Sequence, residues 1–156
     1  MLFPTHLLAG YLLGRWFQLP VAWVVVGAAL PDVIDKPLAM LGVVDLYHTI
    51  GHSIFTLLVV GLLAWRSRLW MAIWVGWASH LALDALQMAI NGRPGDVTFL
   101  LWPLVRHTPD VRLPPLEFAI YYVGTPAFFV ELAIWLLAAY VVLIRGNVEF
   151  WESPLR

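Results

Sequence analysis

The chain has 156 residues, 62% apolar and only 12% charged, against about 45–50% and about 25% in soluble domains. So few charges cannot cover a water-facing surface, which speaks against a soluble globular monomer and for an integral membrane protein. Nine Lys+Arg against ten Asp+Glu leave a net charge of -1 and no broad basic surface for nucleic acid, and the lack of cysteine removes thiolate metal sites, disulfides and cysteine nucleophiles.

The N-terminus shows neither a basic n-region nor a small-residue cleavage site, so its first segment is expected to belong to the mature fold. Apolar stretches follow over about 7–17, 21–30, 54–65, 69–90 and 118–144. Only the last two reach the roughly 20 residues that a spanning helix needs. The short ones pair naturally. Pro20, after Gln18 and Leu19, discourages straight continuation of the first stretch, which predicts a helical hairpin with Arg15 near its tip. Arg66, Ser67 and Arg68 form the tip of a second hairpin, between 54–65 and 69–79.

Residues equidistant from a hairpin tip share a level, so His6 is expected beside Asp32 and His52 beside His80. A single span over 7–30 would instead put His6 and Asp32 about 36 Å apart and leave Arg15 in mid-bilayer, at a high cost.

Residues 92–115, rich in proline and carrying Arg93, Arg106 and Arg112, read as an irregular loop or lid, and a single long transmembrane helix is expected from about 117 to 144. The predicted fold is all-α: one membrane-embedded domain over 1–156, a polytopic helical bundle of short hairpins and a long C-terminal helix. Arginines crowd the short hairpin tips, which places those tips on the cytoplasmic side and the opposite ends on the non-cytoplasmic side.

Those opposite ends carry the chemistry. His80 and Asp84, in SHLALD, are four residues apart and share a helix face, His48 and His52, in YHTIGH, repeat the spacing, and Asp32 and Asp35 follow Pro31 in LPDVID, where the proline is expected to end a helix. Three carboxylates in a dry site resist ionisation unless a cation sits among them, and Lys36 offsets one at most. A set of nitrogen and oxygen donors without sulfur suits zinc foremost, then manganese, iron or magnesium, as one or two divalent ions. Such an ion would activate a water for hydrolysis.

Taken in order, THLLAG, ALPDVID, YHTIGHS, SHLALD and FLLWPL resemble the motifs of inner-membrane metal-dependent hydrolases of the YdjM/YbcI type, over about two-thirds of the chain. That family is in turn distantly similar to the zinc-dependent phospholipase C and single-strand nuclease superfamily. The resemblance implies a phosphoester hydrolase in the bacterial or archaeal inner membrane, with His6, Asp32, His52, His80 and Asp84 as metal ligands and His48 and Asp35 as further ligands or outer-shell groups. The later His-x-x-x-Glu pair of the soluble relatives has no counterpart here, which implies one or two ions rather than three.

Asp35 or His48 would orient the attacking water as general base, and Arg93, Arg106 and Arg112 would clamp the phosphate of a membrane lipid or lipid-linked substrate. The arginines have a plainer alternative, pairing with Asp96 and Asp110. Ser53 reads as a helix N-terminal hydroxyl, Asp45 and His107 as solvent-facing, and Glu131 as either an outer-shell group or a helix–helix hydrogen bonder. Gly10, Gly14, Gly27 and Gly76 permit close helix approach. Two other function classes stay open: a metal-stabilised membrane scaffold or assembly factor without turnover, and a cation transporter, against which the lack of a second polar cluster in 118–144 argues. Oligomeric state is not legible.

Overall fold

The structure is a computed structural model that describes residues 1–44, 46–106, 108–111 and 113–145; Asp45, His107 and Arg112 lie outside them. The described residues form seven helices and no strand: α1 (Phe3–Trp16), α2 (Val21–Met40), α3 (Ile54–Ala64), α4 (Arg68–Ile90), a 3-10 helix (Pro94–Leu101), α5 (Pro115–Tyr122) and α6 (Pro126–Arg145). Two of them, α4 and the Pro126–Leu143 part of α6, are long and apolar enough to cross a membrane, whereas α3 has only 11 residues. The α6 span is 17% buried, so most of its apolar side chains face outward, a patch too large for an ordinary water-facing surface.

Both hairpins form, α1 with α2 and α3 with α4. Ser67 caps α4 by accepting from Trp70 N at 3.3 Å, and Ser53 caps α3 by accepting from Phe55 N at 3.2 Å, which satisfies amides that a helix start leaves without partners. The two tips lie together, with Arg68 donating to the Gln18 carbonyl.

Three expectations are corrected. Pro31 does not end the second helix: α2 runs on to Met40 with Pro31 and Pro37 inside it. Its buried positions Val24, Gly27, Ala28, Pro31, Asp32 and Asp35 keep helical spacing through the proline, and the tertiary anchoring of that face outweighs the roughly 3 kcal/mol an internal proline costs. The closing helix is not continuous either. Gly124, at φ +84°, breaks it between α5 and α6, and Pro126 restarts it. Asn91 holds the restart, its Oδ1 accepting from Ala127 N at 2.9 Å. The 92–115 segment is likewise not wholly irregular, since Pro94–Leu101 forms the 3-10 helix, which packs on α4 and α3.

The packing that positions the site is the crossing of α2 and α4. A Cβ on Gly27 would lie 2.1 Å from the Ile73 carbonyl oxygen, and one on Gly76 would lie 2.0 Å from that of Val24. Here the two backbones touch, and only glycine fits. One turn beyond Gly76, His80 reaches the Ala28 carbonyl with Nδ1 at 2.7 Å. Gly51, whose added Cβ would meet the Pro31 carbonyl oxygen at 2.7 Å, brings the 41–53 loop equally close, and Trp77 Nε1 ties that loop to α4 by donating to the Gly51 carbonyl at 2.7 Å.

Candidate metal centre

Four segments meet at the ends of the helices away from the hairpin tips: α1 brings His6, α2 brings Asp32 and Asp35, the 41–53 loop brings His48 and His52, and α4 brings His80 and Asp84. All but His48 are buried. His52 Nε2 and His80 Nε2 face each other at 3.1 Å. On that edge two carboxylate oxygens complete triangles of donors. Asp32 Oδ1 is 3.5 Å from His52 Nε2 and 3.6 Å from His80 Nε2, and Asp84 Oδ2 is 3.6 and 3.3 Å from the same two atoms. Ligands about 2.0–2.1 Å from a tetrahedral zinc lie about 3.3 Å from one another. Each triangle is therefore of a size that could take a zinc-sized ion.

Asp84 works with both oxygens. Oδ2 also faces His48 Nε2 at 3.7 Å, while Oδ1 is 3.2 Å from His6 Nε2 and 2.5 Å from the Met1 ammonium. His6 stacks on His80, ring centroids 3.7 Å apart, and its Nδ1 is buried without a hydrogen-bond partner, an arrangement that normally calls for a ligand, ion or water. Three overlapping groups, His6–His80–Asp84, Asp32–His52–His80 and His48–His52–Asp84, are each tight enough to hold an ion. The level matching predicted from the hairpins holds for His52 and His80. His6, expected beside Asp32, contacts His80 and Asp84, because α1 packs on α4 as well as on α2, and Asp32 meets the same His80.

Asp35 is not among these donors. It accepts from Thr49 N at 2.6 Å, Gly51 N at 2.9 Å, His52 N at 3.2 Å and His52 Nδ1 at 2.7 Å. Its carboxylate thus folds the loop and fixes the His52 tautomer, so that Nε2 points at the cluster. Asp35, expected as a general base, has both oxygens bonded to the loop and to His52, in a positioning arrangement. Burial alone would lower the His52 pKa, but bonds to Asp32, Asp35 and Asp84 outweigh it and hold it up to about 10. Burial and the neighbouring His52 charge push His48 below the usual histidine value.

A cavity of about 410 Å³ reaches the cluster from the side of the 92–115 segment. Its walls are mainly apolar, among them Phe3, Met88, Phe99, Trp102, Val105 and Phe118, and its polar end holds Lys36, His48, Asp84, Gln87, Arg93 and Asp96. Of the expected phosphate clamp, Arg93 lines this space, with Nη1 donating to Asp96 at 2.9 Å. Arg106 is exposed and is not part of the lining, and Arg112 lies outside the described residues. Lys36 pairs with Asp32. Sequence reasoning passes over Gln87; its place three residues after Asp84, on the same face of α4, is the signal that would have found it.

Glu131 settles as a helix–helix hydrogen bonder. It accepts from the Thr5 hydroxyl and from Leu2 N at 3.3 Å, and Trp135 Nε1 donates to the same hydroxyl at 2.8 Å, tying α6 to α1. With the ordered motifs now seen converging on one centre, the family comparison is decisive: the model of the YdjM inner membrane protein family matches residues 1–149. The chain belongs to the YdjM inner membrane protein family. No curated protein and no solved structure matches it. The match embraces every YdjM-type motif, from THLLAG to FLLWPL, and with it all four segments that build the cluster. Family membership and the two long apolar helices agree on an inner-membrane setting.

Proposed function

We propose that this YdjM-family protein is a membrane-bound, metal-dependent hydrolase that cleaves phosphoesters, with a lipid or lipid-linked phosphate as substrate. The observation that carries the reading is the facing of His52 Nε2 and His80 Nε2 at 3.1 Å, flanked by Asp32 and Asp84, at the end of an apolar cavity. His6, Asp32, His52, His80 and Asp84 would hold one or two divalent ions, zinc foremost. When bound, such an ion supplies a more acidic water and charge neutralisation at phosphoryl oxygens.

The chain's own groups do the rest. His48, half-buried and lining the cavity, is uncharged at neutral pH and is placed to accept a proton from a nucleophile arriving there. Asp35 keeps His52 in register. Arg93 presents positive charge to a phosphate, and the apolar walls exclude water and take an acyl or prenyl chain. The reading also places the bundle in the bilayer as a polytopic protein, with α4 and α6 crossing, the arginine-bearing tips cytoplasmic and the metal centre near the opposite interface, at the depth of lipid headgroups.

The test is hydrolysis of phosphomonoester and phosphodiester lipids in vesicles by the purified full chain, chelated and then reloaded with zinc or manganese. Turnover restored by metal, and lost at least a hundredfold in a folded Asp84→Ala variant, is expected. Wild-type activity in that variant, or none in any metal-loaded preparation, would overturn the reading and favour a scaffold.

A further inference from the structure

Among the described residues, the lining of the cavity includes side chains with buried donors that have no hydrogen-bond partner. Arg93 is only 9% exposed. Its Nη1 is committed to Asp96 at 2.9 Å, while Nε and Nη2 are buried without hydrogen-bond partners. Those two atoms form the side edge of the guanidinium, where two N–H bonds run parallel and match two oxygens of one oxyanion. Gln87 is 2% exposed and lines the same cavity, and its Nε2 likewise lacks a partner. Three unpartnered buried donor atoms on two side chains are costly unless a ligand satisfies them.

The positions of the two residues follow from the fold. Gln87 is one turn from Asp84 on the buried face of α4, and Arg93 follows the end of that helix, where Gly92 at φ +75° turns the chain. Asp96, at 2% exposure, also accepts from Asp110 N at 3.1 Å, so the guanidinium is held from behind by an anchored carboxylate. Much of the remaining lining of the cavity is hydrocarbon and aromatic, with Met88, Phe99, Trp102 and Phe118 among its members.

We infer that Gln87 and the side edge of Arg93 form an oxyanion subsite, and that its ligand is the phosphate of a single-chain amphiphile whose hydrocarbon chain lies along the apolar wall. The inference deepens the proposed hydrolase reading and rests on it for the role of the bound phosphate as substrate. Binding itself needs only the two side chains and the wall.

The experiment is equilibrium binding of dodecyl phosphate, inorganic phosphate and dodecanol to the purified full chain in detergent, chelator-treated and zinc-loaded, followed by Trp fluorescence. Dodecyl phosphate is expected to bind at least tenfold more tightly than either other probe, even in the chelator-treated protein. Gln87→Leu and Arg93→Lys should each weaken it about tenfold while leaving dodecanol unchanged, as loss of charge-assisted bonds demands. Should Arg93→Lys unfold because Asp96 loses its partner, Gln87→Leu alone carries the test.

Equal affinity for dodecyl phosphate and dodecanol, or wild-type affinity in Gln87→Leu, would overturn the subsite. Inorganic phosphate binding as tightly as dodecyl phosphate would overturn the amphiphile. Tight, variant-sensitive binding of dodecyl phosphate without turnover in the zinc-loaded protein would leave the subsite standing and count against the hydrolase. Turnover indifferent to both substitutions would do the reverse.

Discussion

His52 Nε2 lies 3.1 Å from His80 Nε2, and each ring is held from its other side, His52 by Asp35 and His80 by the Ala28 carbonyl. A carbonyl only accepts, so His80 donates from Nδ1 to Ala28 and turns Nε2 toward the cluster. His52 donates from Nδ1 to Asp35, so its Nε2 faces that of His80. The 3.1 Å between the two nitrogens suits a proton or a metal ion shared by them.

Asp35→Asn is the sharpest probe of this arrangement. The substitution keeps the shape and touches no candidate ligand atom, but it removes the charge that fixes the His52 ring. Zinc affinity should fall about 10–100-fold, read by competition with a chromophoric chelator. Unchanged affinity would show that His52 needs no such anchor.

Zinc binding should release a proton. With its pKa held up to about 10 by three carboxylates, His52 is protonated at pH 7 in the metal-free protein and must lose that proton to ligate. Affinity should therefore rise with pH, about tenfold per unit, and fall on acidification. Calorimetry in buffers of different ionisation enthalpy would report close to one proton released per ion. Zero release would contradict a protonated His52.

Gly76→Ala should be severely destabilising. The new methyl would lie 2.0 Å from the Val24 carbonyl oxygen and 2.7 Å from Ala28 N, and backbone atoms cannot swing aside as a flexible side chain can. A loss of about 3 kcal/mol is expected, together with weaker zinc binding, because His80 is one turn away. Gly95→Ala, with nothing within 4 Å of the added carbon, should stay within about 0.5 kcal/mol. Thermal unfolding of the two variants side by side checks the contrast.

Glu131→Ala leaves Leu2 N without its acceptor and takes one from the Thr5 hydroxyl, inside an apolar setting. Stability should drop by about 1–3 kcal/mol, and Trp135→Phe should cost less because the Thr5–Glu131 bond survives. An unaltered melting temperature in Glu131→Ala would mean that α6 is held on α1 by apolar packing alone.

The cluster was legible in the sequence because two independent regularities coincide. Helical spacing puts His80 and Asp84 on one face, and matched segment lengths around the tips bring His52 level with His80. The partner of His6 was not legible, since a hairpin aligns only its own two strands of chain and says nothing about a third helix packing across them. Arg93 stands out by its charge, while Gln87 shows itself only once the cavity is known, because a neutral amide on an apolar helix carries no distinguishing signal.

Composition and spacing alone determined an all-helical, apolar chain with its imidazoles and carboxylates gathered at the ends of short hairpins, since helix periodicity and the aversion of charge to hydrocarbon are local properties. What only tertiary structure decided was which oxygen faces which nitrogen. Asp35 turns inward to the loop amides while Asp32 and Asp84 turn to the cluster, an outcome set by the backbone contact of Gly27 and Gly76 and by the loop fold. α2 continues through Pro31 for the same reason: contacts distant in sequence outweighed a local preference of a few kcal/mol.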